Sequence, residues 1–158
     1  MRNKERLTDL ILIGNNERMS TIVLISCGSK KSLYKTKAEN MYKSSLFLKS
    51  LKYAQIKLKP DFIYILSAKH GLLDLDKEIE PYNVTLKKKT KEEKLEWSNN
   101  VIQQLKSKQH DIEADKFIFL AGQDYYKDLI QNLPNNTIKM EKLSLFKRLP
   151  WLNRELNE

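Results

Sequence analysis

Phe62-Ile-Tyr-Ile-Leu-Ser-Ala-Lys-His-Gly-Leu-Leu-Asp74 decides how the chain is read. Phe62 to Leu66 is a run of strand formers, short enough for a strand buried on both faces. The run stops at Ser67-Ala68-Lys69-His70-Gly71, where small residues are followed by a cation, an imidazole and a glycine. Such residues continue a core poorly and end a strand at a site well. Beyond them stand Asp74, Asp76, Glu78 and Glu80, then Pro81-Tyr82-Asn83. Taken alone, Lys69 and His70 read equally as surface-loop residues, and the acids as a solvated face. Repetition argues otherwise, because two other apolar runs also end in a small residue followed by Gly.

The first is Thr21-Ile-Val-Leu-Ile-Ser-Cys27, followed by Gly28-Ser29-Lys30-Lys31; the second is Lys116-Phe-Ile-Phe-Leu-Ala-Gly122. Between the first two strands a helix is expected from Asn40, with Phe47, Leu51, Ala54 and Leu58 on one stripe and Pro60 closing it. Strand, helix and strand at this spacing make a βαβ unit with parallel strands. Leu33 to Asn40 reads as a basic, polar loop. Thr90 with Glu93 matches a capping box, so a helix should begin at Lys91 and bury Leu95, Val101, Ile102 and Leu105. His110, in the polar stretch after it, is expected to face solvent. Gln123 opens a further helix, and Thr137 to Leu143 is a weak fourth strand. The expected fold is α/β, a three-layer αβα sandwich around a mostly parallel sheet of about four strands. Residues 1–19 read as an N-terminal extension, with one short amphipathic helix over Leu7, Leu10, Ile11 and Ile13. Residues 20–158 read as a single α/β catalytic domain.

The chain has 158 residues, a hydrophobic fraction of 41% and a net charge of +9. That length and composition suit one folded domain with its own core. No apolar run approaches the roughly 18–20 residues of a membrane span, and no signal peptide is expected. One cysteine leaves no internal disulfide and suits a reducing cytoplasm. With one Cys and two His, a zinc site of the usual kind is not expected, nor is any cofactor. The positive charge points to polyanionic partners, nucleic acid above all. Most of the excess is Lys, which favours phosphate attraction over bidentate base reading.

In an open α/β sheet, ligands bind outside the carboxyl ends of the strands. The expected pocket therefore gathers Ser26, Cys27, Gly28, Lys30 and Lys31 from the first strand end. Lys69, His70 and Gly71 come from the second, and Gly122 and Asp124 from the third. Ser44 stands at the start of the first helix. Tyr42 and Tyr82 are candidate walls for stacking on a base. Asp124, Glu80, Asp74 or Asn83 would position water, and His70 and Lys69 would serve a leaving group. Cys27 reads either as a small buried residue or as a nucleophile, the latter needing an activating base such as His70.

Several of these segments together resemble a bacterial and phage domain family of unassigned function. They are Ser26-Cys-Gly-Ser-Lys-Lys31, Met41-Tyr-Lys-Ser-Ser-Leu-Phe47, Leu66-Ser-Ala-Lys-His-Gly-Leu-Leu73, Ile79-Glu-Pro-Tyr82, and Leu120-Ala-Gly122 with Tyr125 or Tyr126. The family carries Ser-Cys-x-x-Lys-Lys, Tyr-x-Ser-x-Leu-Phe, Ser-Ala-Lys-His-Gly-Leu and Pro-Tyr-Asp. Asn83 departs from the last of these, and the family's Gly-rich ending is missing. The chain is more distantly similar to the catalytic domain of archaeosine synthase, and through it to the uracil-DNA glycosylase fold. Gly122-Gln-Asp-Tyr-Tyr126 resembles the Gly-Gln-Asp-Pro-Tyr water-activating motif of those glycosylases, without its Pro.

These resemblances imply a base-processing enzyme, first of all a DNA glycosylase acting on a modified or unusual base, with phage defence as a natural setting. DNA stands ahead of RNA as the partner. The alternatives are a non-enzymatic basic nucleic-acid-binding protein, and a transferase using Cys27 or Lys69 covalently. Oligomeric state is not legible in the sequence.

Overall fold

A computed structural model describes residues 19–157. The short helix expected near the amino terminus lies outside them. The strands are β1 (Thr21–Ser26), β2 (Thr36–Lys37), β3 (Phe62–Ser67), β4 (Gly71–Asp74), β5 (Glu78–Ile79), β6 (Lys116–Leu120) and β7 (Asn136–Ile138). The helices are α1 (Ala38–Met41), α2 (Ser45–Tyr53), α3 (Lys91–Ser107), α4 (Gln123–Tyr126) and α5 (Leu145–Glu155). A π-helical turn over Ala54–Leu58 prolongs α2, and Lys59, left-handed at φ 46°, ends it.

Five strands form one sheet in the order β4-β3-β1-β6-β7, and β2 pairs with β5 in a separate ribbon. β1 runs parallel to β3 and β6, and β6 parallel to β7; β4 alone is antiparallel. The central strand explains the layers. Val23 and Ile25 point into a core shared with Phe47, Leu51 and Leu152, from α2 and α5. Ile22 and Leu24 point into a second core with Val101, Ile102, Leu105 and Leu129. Both faces of β1 are thus covered, as its continuous apolar run requires. Tyr53 and Trp151 meet edge to face at 5.3 Å and join α2 to α5.

Thr90 and Glu93 form the expected capping box, and α3 begins at Lys91. Other expectations are corrected. The sheet has five strands because Gly71-Leu-Leu-Asp74, read as part of a site loop, folds back on β3. Ser67 pairs with Gly71 and Tyr64 with Asp74. Leu95 is exposed on α3 rather than buried. The segment from Leu33 to Asn40 contains β2 and the start of α1, and the main helix starts at Ser45, not Asn40. The fourth parallel strand is short, ending at Ile138.

His110 is buried rather than solvent-facing, and its Nε2 lies 2.7 Å from the Tyr64 hydroxyl. Burial lowers its pKa, as Lys108 does more weakly, while Asp115 pulls it back up. No helix among the described residues is long and apolar enough to cross a membrane.

Candidate functional site

The β3–β4 hairpin explains the Ser-Ala-Lys-His-Gly sequence. Ser67 Oγ accepts hydrogen bonds from the backbone N–H groups of Lys69 (3.2 Å) and His70 (2.9 Å). Gly71 then takes φ 72°, a left-handed conformation that glycine reaches without steric cost. Gln104 of α3 fastens the hairpin. Its Oε1 accepts from Leu72 N at 2.8 Å, and its Nε2 donates to the carbonyls of His70 and Leu72, both at 3.2 Å. A side chain on Gly71 would collide with that amide.

Tyr82, arriving from β5, completes the arrangement. Its hydroxyl lies 2.8 Å from Ser67 Oγ and 2.6 Å from the Tyr42 hydroxyl. Tyr42 is held because the loop after β1 pairs with its neighbours: Ser32 N donates to Met41 O and Lys43 N to Lys30 O. The His70 ring stands edge-on to Tyr82 at 5.4 Å. Lys31 Nζ lies 4.7 Å from the centre of the Tyr82 ring and Lys69 Nζ 6.0 Å from it. On the other side of the sheet end, Cys27 Sγ lies 3.3 Å from the Tyr125 hydroxyl, and Trp97 packs edge-on against Tyr125. Trp97 Nε1 donates to Ser67 O at 2.8 Å, so both halves meet at the end of β3.

The electrostatics follow from burial. Burial pushes the Tyr42 phenol up to about 12, against the pull of the Tyr82 hydrogen bond. Burial, and then the neighbouring Cys27, raise Tyr82 and Tyr125 well above the ordinary phenol range. These hydroxyls are therefore neutral donors and acceptors at neutral pH. The His70 pKa is lowered by burial, then by Lys69 and Lys77. Its imidazole is neutral near pH 7, and its Nε2 is buried without a hydrogen-bond partner.

A small cavity lies beside Cys27. Gly28, Ser44, Gly122 and Arg148 line it together with Ser26 and Met140. Its volume is about 60 Å³, less than half of the roughly 150 Å³ that accommodates a benzene ring. It suits ordered water, and a nucleobase does not fit inside it. Gly28 is needed for close approach, since a Cβ there would lie 2.9 Å from Ser44 Oγ, the cap of α2. Gly122 meets no such limit; the nearest atom to a Cβ would be on Arg148 at 3.9 Å.

The expected site residues thus fall into groups. Lys31, Lys69, His70, Tyr42 and Tyr82 form the tyrosine cluster, while Ser26, Cys27, Gly28, Ser44 and Gly122 line the cavity. Asp124, in α4 two residues after Gly122, is ion-paired with Lys94 at 2.9 Å. Lys30, Glu80 and Asn83 are exposed. Asp74 stands opposite Tyr64, three residues back from the end of β3, pairs with Lys108 at 3.0 Å and lines a separate cavity together with His70. Tyr42 is fully buried and presents no face to a ligand, so Tyr82 alone remains as a stacking wall. His70 makes no hydrogen bond to Cys27, whose partner is Tyr125.

Ser67, Trp97, Lys94 and Arg148 join the site without having been expected there. Ser67 was visible in the motif itself, whereas the other three sit on helices whose approach to the strand ends only the fold reveals. Among the described residues, no group of three or more His, Cys, Asp or Glu side chains is placed to hold a metal ion.

Residues 26–31, residues 67–71, Tyr82 and residues 122–125 meet at this one sheet end. The chain belongs to a family of unknown function (DUF6884), whose model matches residues 22–154. That span takes in every residue of the cluster and the cavity, together with α5 up to Arg154. No curated protein matches the chain.

Proposed function

We propose that this member of the family is a nucleic-acid base-processing enzyme, cleaving the N-glycosidic bond of a modified or unusual base in DNA. One observation carries the reading. Two ammonium groups, Lys31 and Lys69, stand over the face of Tyr82, whose hydroxyl is tied through Ser67 to the end of β3. The carboxyl ends of parallel strands are where an α/β sheet receives its ligand. When the C1′–N bond breaks, its electrons pass to the base, and preorganised cations stabilise that charge. Water supplies the oxygen that bonds to C1′, and in this reading Asp124 takes its proton. A base stacked on Tyr82 displaces Lys31 from the ring face and leaves both ammonium groups at its edge. The net charge of +9 supplies the attraction for the DNA backbone. The motif resemblance to glycosylases and to archaeosine synthase supports the same chemistry, and phage DNA with altered bases is a natural substrate.

The contact between Cys27 and Tyr125 favours one second reading, a base-modifying transferase in which Cys27 bonds covalently to the substrate. The deciding experiment incubates the protein with plain and phage-modified DNA. Released bases are measured by mass spectrometry and abasic sites by cleavage, with His70→Ala and Asp124→Asn proteins alongside. A released base, lost in either variant, is the expected result. Absence of release from every DNA, with salt-sensitive binding intact, overturns the reaction in favour of a binding module.

A further inference from the structure

Among the described residues, the four most exposed large apolar or aromatic side chains are Phe146 (90%), Leu33 (83%), Tyr34 (76%) and Leu145 (66%). The others of that kind are less than half exposed. The four fall into two adjacent pairs, and each pair lies within three residues along the chain of a site side chain. Tyr34 follows shortly after Lys31, whose ammonium stands over Tyr82. Phe146 precedes Arg148, which lines the cavity beside Cys27.

Neither tip is loose chain. Ser32 Oγ accepts from Tyr34 N and donates to Tyr34 O, both at 3.1 Å, while Lys31 bridges to Tyr42. Leu145 and Phe146 form the first turn of α5, where Lys147 N donates to Ser144 O at 3.0 Å. The surroundings are cationic. Lys30, Lys31, Lys35 and Lys37 lie around the first pair with no acid between Gly28 and Ala38, and Lys142, Lys147 and Arg148 lie around the second.

Exposed apolar side chains cost solubility and persist where a partner covers them. Aromatic faces interleaved with lysines match a strand on which bases and phosphates alternate. Such faces can stack only on bases that are not already paired and stacked in a duplex. From this we infer that Tyr34 and Phe146, each with its neighbouring leucine, are two stacking posts flanking the site, and that the protein takes its substrate as single-stranded DNA. The inference rests on the base-processing reading for the identity of the polymer.

The test is fluorescence anisotropy with a labelled oligodeoxynucleotide, single-stranded and as a duplex. The wild-type protein is compared with the double variant Tyr34→Ala/Phe146→Ala and with the ring-retaining Tyr34→Phe/Phe146→Trp. Both positions are exposed, so the variants keep the fold. The expected result is preference for the single strand, lost by about fivefold or more per aromatic removed and restored by the ring-retaining variant. The slope of affinity against salt should not change, because no phosphate contact is lost. Equal affinity of the alanine variant overturns the inference, as does preference for the duplex. Stronger binding to phosphatidylserine vesicles, lost in the same alanine variant, overturns it in favour of a membrane surface. Base release by the wild-type protein is scored separately. No release, with ring-dependent binding intact, sinks the reaction and leaves the posts standing.

Discussion

The Tyr82 hydroxyl sits 2.8 Å from Ser67 Oγ, and that oxygen also receives the N–H groups of Lys69 and His70. One buried hydroxyl therefore sets both the hairpin turn and the aromatic wall. Ser67→Ala leaves two backbone donors and the Tyr82 hydroxyl short of a partner. A stability loss of about 1–3 kcal/mol is expected, the cost of unsatisfied buried polar groups. Urea unfolding would show it as a lower midpoint with an unchanged slope. Base release should fall with it when assayed at a temperature where the variant remains folded, because Tyr82 and the Lys69–His70 turn lose their shared anchor.

Gly71 and Gln104 are coupled across the hairpin. Gly71→Ala faces two penalties, a left-handed φ of 72° and a collision with the Gln104 amide. Gln104→Ala loses the bonds to Leu72 N, His70 O and Leu72 O. In the Gln104→Ala background, Gly71→Ala should cost less than in the wild type, with about 1 kcal/mol of backbone strain remaining. A double-mutant cycle by chemical unfolding measures the coupling, expected at about 0.5–3 kcal/mol. Strict additivity would show that the amide yields freely.

The sheet was legible where one strand carries its own signal. Ile22 to Ile25, Phe62 to Leu66 and Phe117 to Leu120 are continuous apolar runs, and Thr90 with Glu93 announces α3 within four residues. Legibility failed where a residue's role depends on a distant partner. β4 exists because Gln104 fastens Leu72 from 32 residues away. His110 is buried because Tyr64, 46 residues earlier, takes its ring nitrogen. Of the candidate site, the strand-end glycines were readable: Gly28 lets Ser44 approach closely and Gly71 takes the left-handed turn. Asp74 was not legible for the same reason as β4: on an antiparallel strand it runs back along β3 to stand opposite Tyr64, where it lines one cavity with His70.

Cys27 separates the two chemistries. Hydrolysis by water needs no thiol, so Cys27→Ala should keep base release within a few fold of the wild type. The transferase reading requires complete loss in that variant, together with a mass adduct on Cys27 in the wild-type protein after incubation with DNA. Intact-protein mass spectrometry distinguishes the outcomes in one experiment.

Asp124 offers a contrast between stability and activity. Its pair with Lys94 is partly exposed, with side chains 42% and 24% accessible. Such pairs contribute about 0–1 kcal/mol. Asp124→Asn should therefore leave the melting temperature nearly unchanged while lowering base release about a hundredfold or more, the range of a lost general base. Lys94→Met should release the carboxylate from its ion pair and change the rate of base release without abolishing it. Equal activity of Asp124→Asn and wild type would hand the water to another group, with exposed Glu80 next in line.

His110 and His70 give the fold a pH dependence of definite sign. Both pKa values are lowered in the folded state, chiefly by burial. The unfolded chain, with histidine near about 6.5, therefore binds protons more readily than the native one. Stability rises with pH wherever the unfolded state holds more protons. It should be fully present above about pH 6.5 and fall as acid protonates the unfolded histidines, until the folded pKa values are passed. His110→Gln retains an acceptor for the Tyr64 hydroxyl and removes the titration. Its melting temperature should drop less than that of the wild type between about pH 7.5 and pH 5.5, and His70→Gln should remove a further part. Parallel curves for all three proteins would place the acid sensitivity on the carboxylates instead.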